Sequence, residues 1–447
     1  MTSYFFHLLE LADTFFWGYI GFALIACLGI YLTISTNFFQ IRAIPSVFKT
    51  FIGFLRQQSQ SERGVDPIKI FFASVGGMIG IGNIVGITTA IQLGGPGALF
   101  WVWVTGIIGS LVKYSEVYLG LKYRVPNDKG GYDGGPMYFL RQAFDYRFVS
   151  VAVCFMLCIY GIEPYQFAVI TDTLSTNWNL NRYFVIITLL SLVLYAGSGG
   201  VPRVAKICSR VLPFFMIAYV SMSLWVILHH TLEIPQILLN VFTSAFTGHA
   251  AIGGFVGSTM ILAIKNGLSS AAYSGDIGVG YDSIIQSESK TIYPERQARL
   301  AILGVWLDNL ICTMSILVVL TTGIWKNTYV EGSMLVQNAL SEYFPFMHIF
   351  MPTLLFIVGY STLIAYFCVG LKCSHYLHPR YGKPLFYLYG VFTLVFFSFH
   401  DQTKALLLMR LVGALLLITN LVGIFFLRDK VAYTLEEEYA PSLEERT

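Results

Sequence analysis

The sequence predicts an all-α polytopic membrane protein with about eleven transmembrane helices. Three observations carry that expectation. Charged residues make up 12% of the 447 residues, about half the roughly 25% of a soluble domain. Hydrophobic residues make up 55% and the mean hydropathy is +0.66. Eleven stretches approach the ~20 apolar residues that cross a bilayer. So little charge cannot cover the surface of a soluble enzyme, and so much apolar character excludes a disordered chain. A net charge of +3 offers no basic face for nucleic acid. The lipid bilayer is therefore the expected partner.

The first stretch covers 14–35. Residues 36–56 mix apolar with basic side chains, as an interfacial helix does. Further stretches follow at 68–91, 98–121, 148–174, 183–197 and 207–228. A long, interrupted one covers 250–286, and the last four are 297–322, 347–373, 384–400 and 404–427. The 183–197 stretch is short. The tail, with Glu436, Glu437 and Glu438 in a row, reads as solvated. Basic residues test the count: with eleven spans, 22 of the 28 Lys and Arg between and after them fall on one side. Only Arg182, Lys326 and Lys404 fall on the other. The positive-inside rule then places the N-terminus outside and the C-terminus in the cytoplasm.

Several functions find no support in the motifs. Cys27, Cys154, Cys158, Cys208, Cys312, Cys368 and Cys373 mostly lie in apolar runs and read as packing residues. Glu10 and Asp13 precede the first apolar run, unlike a basic signal-peptide n-region. No phosphate-cradling G-x-x-x-x-G-K-[ST], H-E-x-x-H or G-x-S-x-G occurs. An ATP-driven pump and a membrane enzyme are disfavoured, and no catalytic residue is expected.

Glycine marks two of the spans. Gly76, Gly77, Gly80, Gly82 and Gly86 crowd the second, beside Asn83. Gly253, Gly254, Gly257, Gly267, Gly275, Gly278 and Gly280 punctuate the seventh. Close helix packing uses the same residue type and explains some of them. A broken helix frees backbone groups that need a cavity, an ion or a polar ligand. If spans two to six and seven to eleven are two halves, the broken helices sit at matching places, as in secondary transporters. Half-helix N-termini suit a carboxylate and C-terminal carbonyls suit an ammonium group or small cation.

The residues around these glycines carry a family pattern. Gly80-Ile81-Gly82-Asn83 is followed by Gly94-Gly95-Pro96-Gly97-Ala98-Leu99-Phe100-Trp101. Then come Lys113-Tyr114-Ser115-Glu116, Lys122-Tyr123-Arg124 and Gly134-Gly135-Pro136-Met137-Tyr138. This order and spacing resemble the alanine/glycine:cation symporter family of prokaryotes. Looser matches lie at Gly199–Lys206, Arg296 to Asp308, and Ser361-Thr362-Leu363-Ile364 with Tyr366. The resemblance implies a leucine-transporter-type fold of two inverted five-helix repeats, with broken first and sixth repeat helices. Residues 1–63 would form an extra helix plus the interfacial helix, 64–230 and 231–430 the repeats, and 431–447 a cytoplasmic tail. It implies Na⁺-coupled import of alanine or glycine by alternating access across a prokaryotic cell membrane.

Site residues carry over one at a time. Gly77, Ile81, Gly82 and Asn83 would hold the substrate carboxylate, with Gln166, Thr362 and Tyr366 lining the site. Carbonyls near Gly76 and Ile79 and the hydroxyls of Ser361 and Thr362 would bind sodium, an oxygen set that suits a hard cation. Taken residue by residue, other readings stand: Ser361 and Thr362 as back-bonded hydroxyls, Gln166 as interhelical glue, Tyr366 as a packing aromatic.

The sequence departs from the family at the site itself. Where the family usually has Asn-Met-Val before its glutamine, Glu163-Pro164-Tyr165 precedes Gln166. In the seventh span Ser269 to Gly280 replaces the family's Phe-Ser-Asn-Glu-Ala-Gly-Leu-Gly-Ser-Ala-Pro, and Asp276 takes the place of its acidic residue. Glu163 and Asp276 are therefore candidates for a proton-coupled variant. Lys113 and Glu116, spaced i,i+3, are expected to pair, Lys265 to face Asp276 or Asp282, and Asp308 to be structural.

Overall fold

The computed structural model describes residues 2–56, 62–247, 260–327, 330, 332–400 and 402–435. The described chain is almost wholly helical, with one two-residue hairpin pairing Val125–Pro126 with Tyr132–Asp133. Among the described residues, seven helices are long and apolar enough to cross a membrane, and an eighth span is the pair Pro67–Met78 and Ile81–Gly94, bent by 62° at its break. This is a multi-pass membrane protein. The expected spans at 183–197 and 384–400 correspond to the shorter helices Arg182–Ser198 and Gly382–Phe397. The seventh corresponds to Met260–Ser274 and Tyr281–Gln286. Gly253, Gly254, Gly257 and the Glu436–Glu438 run lie outside the described residues.

Local chemistry sets the element ends. Asp66 caps the first half of the bent pair by accepting from the Ile68 and Lys69 amides, with Pro67 at its first position. Asn181 caps Arg182–Ser198 in the same way. The fourth span is broken as well. Arg147–Tyr160 stops, Glu163 adopts φ 52°, and Pro164 starts Pro164–Trp178. The segment between spans six and seven holds the helix Ile234–Thr247, too short to register as a span.

Apolar side chains such as Phe148, Phe155, Ile187, Phe214 and Ile217 point outward, as lipid-facing residues should. Inside, Ala98–Lys122 packs on Pro294–Thr321 and Met260–Ser274. Lys113, Glu116, Asp276, Asp282 and Asp308 are all buried there.

Two expected pairings are replaced. Lys113 does not pair with Glu116; its ammonium donates to the Asp276 carbonyl at 2.5 Å and lies 3.4 Å from that carboxylate and 3.8 Å from Asp282. Glu116 instead accepts from the Ser283 amide at 3.3 Å. A helix-periodic pair is worth only about 0.2–0.5 kcal/mol, too little to hold Lys113 back from two buried carboxylates. Lys265 runs along Gly18 and shares the field of Asp13 with Arg410, whose Nε lies 3.1 Å from Asp13.

Outside the membrane, the hairpin is clamped to the second half of the chain. Lys372 lies 2.9 Å from Asp133 and 2.7 Å from Glu288. Arg124 donates to the carbonyls of Ser287, Ser289 and Thr291. Burial opposes ionisation of Asp133, but the Lys372 ammonium outweighs it and holds the carboxyl below its usual value.

Candidate functional site

The first broken helix supplies the floor of the site. Its last turn ends at Met78, and Ile79 (φ −83°, ψ 96°) and Gly80 are extended before a 3₁₀ turn resumes at Ile81–Asn83. The break leaves backbone groups without helical partners, and side chains supply them. The Gly80 amide donates to Asn83 Oδ1 at 3.0 Å, and the Ile81 amide to Gln166 Oε1 at 3.3 Å. The Gly76 carbonyl accepts from Ser361 Oγ and Thr362 Oγ1, each at 3.1 Å. Both hydroxyls also lie within reach of the Val358 carbonyl, at 2.7 and 3.0 Å. Back-bonding and the oxygen cluster around Gly76 thus coexist in one geometry.

Glycine at position 80 has a steric reason. A Cβ there would lie 2.7 Å from Thr362 Oγ1 and 3.0 Å from Gln166 Nε2. At Gly77 the space a Cβ would take is filled by the Tyr281 hydroxyl, which donates to the Ala73 carbonyl at 3.0 Å. Tyr281 opens the helix after the second break and stacks on Tyr366, ring centroids 4.1 Å apart. The two broken elements are therefore locked together through one tyrosine.

A small polar cavity opens at this junction. Gly77, Gly82, Asn83, Gln166, Thr362 and Tyr366, all expected from the sequence, line it together with Glu163. Ile81 meets it through its backbone partner Gln166 rather than its buried side chain. Gly76, Ile79 and Ser361 do not line it; Gly76 and Ser361 gather behind Thr362. Asp276 is not on the wall either and is held by Lys113. Asp308, expected as structural, supports the site directly: it accepts from Asn83 Nδ2, and Ser274 Oγ lies 3.5 Å from it.

Sequence reasoning missed Met78, Gly80, Tyr160, Tyr273 and Ser274 on the wall. Gly80 and Met78 sit within the glycine-rich break and were within reach of the same argument. Tyr160 and Tyr273 carry no motif among 27 tyrosines; only the chain breaks at 161–163 and 275–280 turn them into the cavity's edge.

The arrangement can bind rather than react. It offers neutral hydrogen-bonding groups, carbonyl and hydroxyl oxygens fit for a hard cation, and one carboxylate.

Comparison with known proteins agrees with this picture. The model of the sodium:alanine symporter family matches residues 2–446. An uncharacterized transporter from Haemophilus influenzae is 31% identical, covering 95% of this chain and 94% of its own. A protein named sodium/alanine symporter AgcS, from Methanococcus maripaludis, is 30% identical, with 95% of each chain covered. Among solved structures, a Na⁺-coupled sialic acid symporter superposes with a TM-score of 0.55 at 12% identity, covering 92% of this chain and 87% of its own. That last likeness is one of leucine-transporter-type fold alone.

Proposed function

The chain belongs to the sodium:alanine symporter family, and from that premise we propose that it is a sodium-coupled symporter importing alanine or glycine by alternating access. The observation that carries the reading is the cavity where a broken helix, Gln166, Thr362 and Tyr366 meet. Secondary transporters bind substrate where interrupted helices face each other near mid-membrane. It is a transporter, not an enzyme.

In this reading the substrate carboxylate takes the amides of the break at Gly77, Ile81, Gly82 and Asn83, displacing Gln166 from Ile81. Gln166, Thr362 and Tyr366 then line the bound molecule. Sodium binds at the carbonyls of Gly76 and Ile79 with the hydroxyls of Ser361 and Thr362. The convergence of Gly76, Ser361 and Thr362 oxygens supports that ion site.

The spans number eleven: an extra helix and interfacial helix in 1–63, inverted repeats in 64–230 and 231–430, and a cytoplasmic tail at 431–447. The N-terminus lies outside and the C-terminus inside the cell membrane of a prokaryote. The one-sided distribution of 22 basic residues supports this orientation.

A proton-coupled variant is the second reading. It is favoured by buried carboxylate oxygens of Glu163 and Asp276 that lack hydrogen-bond partners. Purified protein in liposomes decides between the two. An imposed inward Na⁺ gradient should drive alanine accumulation; uptake that ignores Na⁺ and follows a pH gradient would replace sodium by the proton. Absence of any gradient-driven uptake of a small amino acid would refute both.

A further inference from the structure

Glu163 is more than the zwitterion of alanine requires. It sits in the gap between Arg147–Tyr160 and Pro164–Trp178 at φ 52°, a conformation that residues other than glycine seldom adopt and that tends to mark functional positions. Its side chain lines the cavity while the residue is only 3% exposed. Its Oε2 has no hydrogen-bond partner, and no ion pair reaches its carboxylate among the described residues.

The buried cations nearby are committed elsewhere. Lys113 serves Asp276 and Asp282, and Arg410 serves Asp13. A desolvated carboxylate without a cation is costly; protonation relieves that cost, and so does pairing with a charged ligand, whose hydrogen bond to the carboxylate is the stronger for the charge. Around it the wall is polar, with Tyr160, Tyr273, Tyr366 and Ser274. Ligand pockets are mostly apolar with a few polar groups, so this wall is a poor match to a bare methyl side chain.

We propose that Glu163 binds a second ammonium group, on the substrate's side chain, and that the cavity selects short diamino acids over their uncharged counterparts. The inference rests on the amino-acid symport reading above and names the substrate class of the same cavity. The α-carboxylate keeps its place at the amides of the first broken helix; the side-chain ammonium forms a charge-assisted hydrogen bond with Glu163.

The test compares 2,4-diaminobutyrate with 2-aminobutyrate, which differ by that one amino group, as competitors of alanine binding to purified wild-type protein in Na⁺. The diamino acid should compete at least about tenfold better, the worth of one hydrogen bond to a charged group. In Glu163→Gln the ratio of the two affinities should fall to about one, whatever happens to alanine itself. Equal affinities in the wild type, or a ratio that Glu163→Gln leaves intact, would overturn the proposal. If that variant does not fold, the wild-type ratio decides alone. Alanine uptake without the diamino preference contradicts only this inference. No Na⁺-driven uptake of either molecule contradicts the symport reading as well.

Discussion

The breaks of the second and seventh spans, which meet at the cavity, are built from different chemistry. In the first, two extended residues, Ile79 and Gly80, separate the halves, and neutral groups satisfy the backbone: Asn83, Gln166, Ser361 and Thr362. In the second, six residues separate Ser274 from Tyr281, with Asp276, Gly278 and Gly280 all at positive φ. Charges hold it: Lys113 bonds the Asp276 carbonyl and faces two carboxylates. A neutral hydrogen bond contributes about 1 kcal/mol net and exchanges readily for a ligand. Separating a buried ion pair leaves an uncompensated charge and costs about 3–5 kcal/mol. The first break is thus the exchangeable side of the site and the second its fixed scaffold.

That contrast can be broken from its strong side. Lys113→Met removes the only ammonium near Asp276 and Asp282 among the described residues. It should destabilise the fold by about 3–5 kcal/mol, read as a large loss of thermal stability in detergent. A variant as stable as the wild type would mean that the second break does not depend on charge.

On the weak side the effect should fall on binding. Gly80→Ala drives a methyl against Thr362 and Gln166, an overpacking of about 1–3 kcal/mol. Alanine binding should weaken tenfold or more while the melting temperature falls less than for Lys113→Met. Titration of both variants with alanine under Na⁺ checks the order.

The smallest effect lies outside both breaks, in the Lys372–Asp133–Glu288 clamp. The folded value of Asp133 is depressed. Its contribution to stability is therefore full above the value in the unfolded chain and is lost as pH falls through the folded one. Asp133→Asn should cost about 1 kcal/mol at neutral pH, since the carboxylate is partly exposed. The difference from wild type should shrink as the medium is made acid. A difference independent of pH would show that the clamp is not ionic.

The sequence revealed what depends on local runs. Apolar length located the long helices, and five glycines with Asn83 located the first break. What needed the folded chain was the partner of each buried charge. Lys113 is 163 residues from Asp276, and no periodicity links them. At Glu163 the sequence shows a carboxylate and a helix-kinking proline, but the apolar run resumes on both sides, so the stretch reads as one span and the break needed the folded chain. Ile234–Thr247 was missed because 14 residues fall short of a span. Most of the cavity was legible because the family pattern concentrates there; Tyr160 and Tyr273 were not, since a tyrosine in an apolar helix looks the same on any face.

In the proposed function the first break binds substrate and sodium together, with Thr362 between them. The most direct measurement is the Na⁺ concentration that half-saturates alanine binding, compared between wild-type protein and Thr362→Ala. Removing the hydroxyl beside the Gly76 carbonyl should raise that concentration about tenfold or more, the worth of a hydrogen-bond-strength contact to a charge. Alanine binding that is independent of Na⁺ in the wild type, or equally Na⁺-dependent in both proteins, would contradict it.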